Sequence, residues 1–124
     1  MSAKLEKQLA KLLKKARAQI KKGHLQKARV VYREMCEFSR YDDELWTQRA
    51  ELAVQLNEID EAADCYFHLA DMFARSGRQA DAARMVKKVL TLNPKHGGAR
   101  SFKRMLRSYL DEEPAQAPEP SIPA

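Results

Sequence analysis

The sequence predicts an all-α protein, and three observations support this prediction. The 124 residues include four glycines, one tryptophan and few β-branched residues, a composition that disfavours a sheet. Apolar residues recur at helical spacing through most of the chain. Short breaks interrupt these stripes at fairly regular intervals, which indicates six helices joined by short connections. A content of 32% charged and 44% apolar residues fits a soluble folded domain better than a membrane span or a disordered chain.

The first three helices are predicted from apolar stripes and from residues that start or stop a helix. The first helix covers 3–22 and ends at the first glycine, which follows a cationic last turn. The second helix covers 25–39 and carries a similar stripe. The third covers 43–56, and either Asp42 or Asp43 is suited to cap its N-terminus.

The last three helices are predicted in the same way. The fourth covers 59–76 and ends at a glycine, and the fifth covers 79–92 because the Asn-Pro pair that follows cannot continue it. The sixth covers 99–110 and has the mixed faces of a terminal cap. Its basic residues are expected to face outward and its apolar residues inward, the latter being Phe102, Met105, Leu106 and Tyr109.

The domain organisation follows from composition and charge. Residues 1–110 are predicted to form one helical domain, and the Pro-rich, acidic residues 111–124 a disordered tail. Residues 1–40 hold twelve basic and three acidic residues, 41–74 one basic and nine acidic, and 75–110 ten basic and one acidic. Neighbouring helices of opposite charge neutralise each other, so the net charge of +6 is weak support for an anionic partner.

The N-terminal segment and the cysteines bear on location. The first twenty residues contain no unbroken apolar run of the secretory-signal kind, and no stretch is long enough to span a membrane. Cys36 and Cys65 lie in separate helices without a CxxC pairing, which favours buried free thiols over the alternative of a disulfide. A cytoplasmic location is the resulting expectation.

An internal period of 34 residues links two parts of the chain. A helix-breaking residue, an alanine and a tyrosine recur in the same order, as Gly23, Ala28 and Tyr32 and again as Asn57, Ala62 and Tyr66. Small residues at such positions let paired helices approach closely. The period and the helix–turn–helix units together resemble the tetratricopeptide repeat (TPR) family.

The resemblance is best over residues 43–94. A later segment matches the family's pattern in a different phase, through Tyr66, Leu69, Ala70, Phe73, Gly77, Ala82, Val86 and Pro94. The resemblance implies a short right-handed solenoid of three antiparallel helical hairpins, which share a continuous core when stacked. Two phases stay open, in which either helices 1, 3 and 5 or helices 2, 4 and 6 are the first helices of the repeats.

The resemblance also implies a function. Such arrays hold a peptide or a helix of a partner protein on the inner faces of the first helices, so we expect a non-catalytic adaptor, scaffold or chaperone-like module. In the first phase, the groove residues are Leu13, Arg17, Ile20, Lys21, Thr47, Gln48, Glu51, Val54 and Gln55. In the second phase, His68 and Asp71 would lie in the groove. Because a three-hairpin array is short, self-association that lengthens the stack is a further expectation.

Nucleic-acid binding is the alternative function. Basic stripes on helices 1 and 6 are suited to phosphate groups, and they consist of Lys14, Lys15, Lys22, Arg100, Lys103, Arg104 and Arg107. Aromatic residues are sparse among them, and solvated outer faces explain the same stripes, so a protein partner is the preferred prediction.

Catalysis and cofactor binding receive little support. The three histidines lie far apart, and none pairs with a cysteine at a usual ligand spacing. Cys65 and His68 lie three residues apart on one helix, where a structural thiol beside a half-buried histidine is preferred over a Cys–His nucleophile or a metal site. No glycine-rich phosphate loop occurs. We therefore expect no enzymatic activity, no cofactor and no metal.

Overall fold

The computed structural model describes residues 2–109, and this part contains helices and no strands. Six helices follow one another: α1 (Ala3–Lys21), α2 (Leu25–Phe38), α3 (Asp43–Gln55), α4 (Ile59–Arg75), α5 (Gln79–Leu92) and α6 (Gly97–Met105). The all-α prediction is confirmed. The tail predicted for residues 111–124 lies outside the described residues.

The first five helices begin at the predicted residues and end within one residue of the predicted ends. The sixth helix differs at both ends. It begins at Gly97 rather than at residue 99, because the Nδ1 atom of His96 accepts a hydrogen bond from the backbone N–H of Ala99 at 3.1 Å and caps the helix. It ends at Met105 with a turn at Leu106, and helical backbone resumes over 107–109.

The chain forms two compact units, and the boundary between them lies inside α4, between Cys65 and Tyr66. In the first unit, α2 packs against both α1 and α3. The core of this unit consists of Ala16, Ala28, Val31, Tyr32, Met35, Cys36, Leu45 and Leu52, with Leu9, Leu12, Leu13, Leu25 and Trp46 packed around it. The buried faces are those that the apolar stripes predict.

In the second unit, α5 packs against α6. Its buried apolar residues are Tyr66, Leu69, Ala70, Phe73, Ala82, Ala83, Val86, Val89, Ala99 and Leu106. The ring of Phe67 lies 4.9 Å from that of His96 and 6.2 Å from that of Phe102, between ring centroids. A Cβ atom at Gly98 would lie 2.7 Å from the Phe67 ring, so glycine permits this close approach of α6 to the ring.

Three of the helix connections share one backbone motif. Gly23, Asn57 and Gly77 have positive φ angles of 81°, 60° and 81°. At each of these positions, the backbone N–H of the next residue donates a hydrogen bond to the carbonyl of the residue five positions before it. An example is the 2.8 Å hydrogen bond from the N–H of Arg78 to the carbonyl of Phe73. This is the Schellman motif, which satisfies the last carbonyls of the helix and reverses the chain. The equivalence of Gly23 and Asn57, predicted from the period of 34, extends to their backbone conformation.

These left-handed positions predict opposite effects for two substitutions. Gly77→Ala should lower the free energy of unfolding by about 1 kcal/mol, because a Cβ atom disfavours positive φ although the surrounding space is open. Asn57→Gly should leave it unchanged or raise it by a few tenths of a kcal/mol. Urea denaturation followed by circular dichroism measures both.

The control for this pair is Gly97→Ala, at a helical position with nothing within 4 Å of the added Cβ atom. It should be neutral or stabilising. A loss of stability in Gly97→Ala equal to that in Gly77→Ala would contradict the assignment of the cost to the φ angle.

Candidate functional site

The first unit contains a concave site that we call the first-unit cavity. It has a volume of about 240 Å³ and is lined by Leu13, Arg17, Ile20, Tyr32, Glu44, Leu45 and Gln48. Four of the nine residues predicted for a groove on helices 1, 3 and 5 are thus brought together, namely Leu13, Arg17, Ile20 and Gln48. Arg17 and Glu44 give the cavity charges of both signs.

The other predicted groove residues do not line this cavity. The side chains of Lys21, Glu51, Val54 and Gln55 are exposed. Thr47 is half-buried, and its hydroxyl donates a 2.7 Å hydrogen bond to the backbone carbonyl of Asp43, within α3. The nine residues are therefore not gathered in one concave site, and their role in binding stays a prediction.

The second unit contains a larger concave site, which we call the apolar groove. It has a volume of about 400 Å³ and is lined by Asp71, Ala74, Arg75, Gln79, Phe102, Met105, Leu106 and Tyr109. The prediction that all four apolar residues of helix 6 point inward is wrong for two of them, since Met105 is 77% exposed and Tyr109 40%. A turn at Leu106 interrupts the helix. Of the four apolar residues, Leu106 is buried and Phe102 is half-buried.

Polar groups complete the apolar groove. Asp71 accepts a 2.9 Å hydrogen bond from Nε of Arg75, one turn further along α4. The Oε1 atom of Gln79 is buried and has no hydrogen-bond partner among residues 2–109. Of the three polar residues Asp71, Arg75 and Gln79, the sequence analysis predicted only Asp71 as a groove residue, under the second repeat phase. His68, expected beside it, is half-buried and is not one of the lining residues.

The basic residues of the alternative function divide between the two units. Lys14, Lys15 and Lys22 are exposed in the first unit. In the second unit, four basic residues of helix 6 and its continuation surround a concave site of about 640 Å³, which we call the basic pocket. It is lined by Leu90, Pro94, Gly97, Arg100, Ser101, Lys103, Arg104 and Arg107.

A buried charge network joins three helices of the first unit. Glu61 in α4 accepts hydrogen bonds from Nη1 of Arg29 in α2 and, at 2.7 Å, from Nε of Arg49 in α3. The three side chains are between 8% and 15% exposed. The guanidinium of Arg49 also lies 5.1 Å from the centroid of the Trp46 ring. Sequence reasoning missed this network, because nothing in the helical pattern distinguishes a buried charge pair from a solvated one.

The two cysteines are free and buried, as predicted. Burial raises the pKa of Cys36 to about 11 and that of Cys65 to about 12, against a smaller opposing effect of the Arg49 guanidinium. Thiols with these pKa values stay protonated near neutral pH. Because the nucleophilic form of cysteine is the deprotonated thiolate, neither side chain is activated as a nucleophile. The arrangement suits a structural role for both side chains.

The described residues contain neither a candidate metal site nor a helix suited to span a membrane. Across residues 2–109, no three histidine, cysteine, aspartate or glutamate side chains are grouped so that they could hold a metal ion. No helix in this part of the chain has the length and apolar character needed to cross a membrane.

Comparison with known families identifies one repeat. Residues 63–96 match the family model described as a tetratricopeptide repeat, and the predicted resemblance is confirmed over this segment. The match begins within α4 and ends before α6, so in this repeat α4 is the first helix and α5 the second. Over this segment the helix order agrees with the second of the two phases considered above, in which helix 4 is a first helix.

Comparison with individual proteins gives a similarity among solved structures. No curated protein matches the chain. Among solved structures, it is similar to the type III secretion chaperone SycD of Yersinia enterocolitica, crystallised in complex with a peptide of the translocator YopD. The two chains are 18% identical with a TM-score of 0.45, and the similarity covers 90% of this chain and 95% of SycD.

The buried network predicts a large effect at Glu61. Glu61→Gln should lower the free energy of unfolding by about 2 kcal/mol, because two largely buried guanidinium groups lose their anionic partner. Asp60→Asn removes the same charge from the exposed neighbouring position and should cost less than about 1 kcal/mol. Urea denaturation compares the two, and equal losses would mean that the network contributes nothing beyond the helix dipole.

The cysteine pKa values predict a pH dependence. Between pH 9 and pH 11 the unfolded chain releases thiol protons that the folded chain retains, so the free energy of unfolding should fall as pH rises through this window. Below pH 9 the thiol contribution is complete. A Cys36→Ala, Cys65→Ala double variant should show a shallower decline in urea denaturation at pH 8, 9 and 10. Identical declines in the two proteins would contradict the raised pKa values.

Proposed function

We propose that the chain is a non-catalytic protein-interaction module, an adaptor or scaffold, and that its apolar groove binds a peptide segment of a partner protein. The observation that carries the proposal is the exposure of Met105 and Tyr109 in that groove. The proposed ligand is a segment that contributes an apolar side chain and a backbone N–H donor.

The apolar character of the groove supports an apolar anchor on the ligand. Ala74, Phe102 and the buried Leu106 are lining residues beside the two exposed side chains. Adjacent exposed apolar residues around a concavity are typical of interaction sites, whereas single ones are common on any surface. Covering Met105 alone would remove most of a large apolar side chain from water, which is worth about 1–2 kcal/mol.

The Gln79 side chain supports a donor on the ligand. Its buried Oε1 atom has no partner within residues 2–109, and a buried acceptor without a hydrogen bond costs about 1–3 kcal/mol. A backbone N–H of a bound segment would satisfy it once the side chain rotates toward the groove that it lines. The Asp71–Arg75 pair gives the same groove charged groups that can orient the segment.

The repeat phase also supports this groove over the first-unit cavity. The family match makes α4 a first helix, and α6 begins directly after the matched segment. Residues 34 positions apart all line the groove: Asp71 in α4 with Met105 in α6, and Arg75 in α4 with Tyr109, which follows the turn after α6. The inner faces of first helices are where the family resemblance implies ligand binding.

The free, buried thiols suit a reducing compartment, and we place the module in the cytoplasm.

A peptide selection tests the proposal. The full chain is used to select ligands from a phage-displayed library of random peptides, and the affinity of each selected peptide is measured by calorimetry. We expect peptides with an apolar anchor, and we expect a Met105→Ser, Tyr109→Ser double variant to weaken their binding by at least about tenfold.

The matched control is an Ile20→Ser, Val54→Ser double variant. These apolar residues are 36% and 41% exposed, lie in the first unit, and belong to the groove predicted on helices 1, 3 and 5. Their replacement should change affinity by less than about twofold. A loss confined to this control variant would move the site to the first unit, and a selection without any enriched peptide would contradict peptide binding.

A further inference from the structure

The basic pocket of the second unit holds cations that no acidic side chain within residues 2–109 neutralises. Within residues 2–109, none of the four basic side chains, Arg100, Lys103, Arg104 and Arg107, makes an ion pair, and all four are exposed. Other arginines of the same unit are paired: Arg75 with Asp71, and both Arg78 and Arg84 with Asp81. The pocket therefore carries a concentrated positive charge without a counter-ion among the described side chains.

The chemistry of these side chains points to carboxylates. Four like charges around one concavity raise the local potential and attract anions, with an effect that depends on ionic strength. Three of the four are arginines, whose planar guanidinium groups form paired hydrogen bonds with a carboxylate. Leu90 and Pro94 also line the pocket and offer apolar contact to the methylene groups of glutamate side chains.

We propose that the basic pocket binds an acidic, glutamate- or aspartate-rich segment of a partner protein. The lining residues in the described part of the chain include no aromatic side chain, so they offer no surface on which the bases of a single-stranded nucleic acid stack. A volume of about 640 Å³ accommodates a few side chains in a concave site, whereas a duplex needs an extended charged surface. Both features favour an acidic peptide over a nucleic acid.

This site is distinct from the groove of the proposed function. Among residues 2–109, the basic pocket and the apolar groove have no lining residue in common, although both use residues of α6. Loss of one site therefore need not affect the other. The Met105→Ser, Tyr109→Ser variant should bind an acidic peptide as the unmodified chain does, which keeps the two proposals separable.

A fluorescein-labelled deca-glutamate peptide is the probe, and fluorescence anisotropy with the full chain at low ionic strength is the measurement. We expect saturable binding that weakens as salt is added. An Arg100→Glu, Arg104→Glu double variant should weaken it by at least about tenfold, because two favourable charges become repulsive. Circular dichroism checks that the helices persist, as is expected for exposed side chains.

The matched control is a Lys14→Glu, Lys15→Glu double variant. It changes the net charge by the same amount at exposed positions of the first unit, and it should weaken binding by less than about twofold. Equal weakening by the two double variants would overturn the proposal, because attraction would then follow overall charge.

Two further outcomes would also overturn it. Tighter binding of a DNA duplex than of the peptide, weakened by both double variants, would assign the basic residues to nucleic acid. An Asp111→Asn, Glu112→Gln, Glu113→Gln variant that binds the peptide at least about tenfold more tightly than the unmodified chain would mean that the chain's own acidic residues are the occupant.

Discussion

Close helix contact at buried alanines is the constraint on which the rest of the structure depends. Ala16, Ala28, Ala62, Ala82 and Ala99 are completely buried, so a larger side chain at any of them would separate the packed helices. Within residues 2–109, the fully buried side chains larger than alanine are few: Met35, Leu69, Val86, Val89, Cys36 and Cys65. Met105 and Tyr109 lie outside this core and are exposed.

The helix bounds were predictable because they depend on local interactions. Gly23, Asn57 and Gly77 each end a helix through a hydrogen-bond pattern confined to six residues, and Asp42 caps α3 by accepting from the N–H groups of Glu44 and Leu45. The sixth helix was mispredicted for two different reasons. Its cap is a histidine, an unusual N-cap residue, and its interruption at Leu106 occurs in a continuous apolar stripe.

The charge network and the site were harder to predict, because both depend on which helices meet. Glu61 lies 32 residues from Arg29 and 12 from Arg49, and no local pattern connects them. The prediction of which helices line the groove depended on the repeat phase. A period of 34 relates Ala28 to Ala62 and Tyr32 to Tyr66, all of them buried, but it holds equally whichever helix of each pair comes first. The match over residues 63–96 supplies the helix order for that one repeat.

With that phase, equivalent positions of the repeat carry different chemistry on the two sides of the apolar groove. The positions held by Asp71 and Arg75 in α4 correspond to Met105 and Tyr109, 34 residues later. One side of the groove therefore presents an ion pair and the other two exposed apolar side chains. Because charged groups mainly set orientation and apolar burial mainly supplies affinity, a ligand of the proposed site would need to be amphipathic across its width. A uniformly apolar segment would leave Asp71 and Arg75 desolvated without new partners, and a uniformly polar one would leave Met105 uncovered.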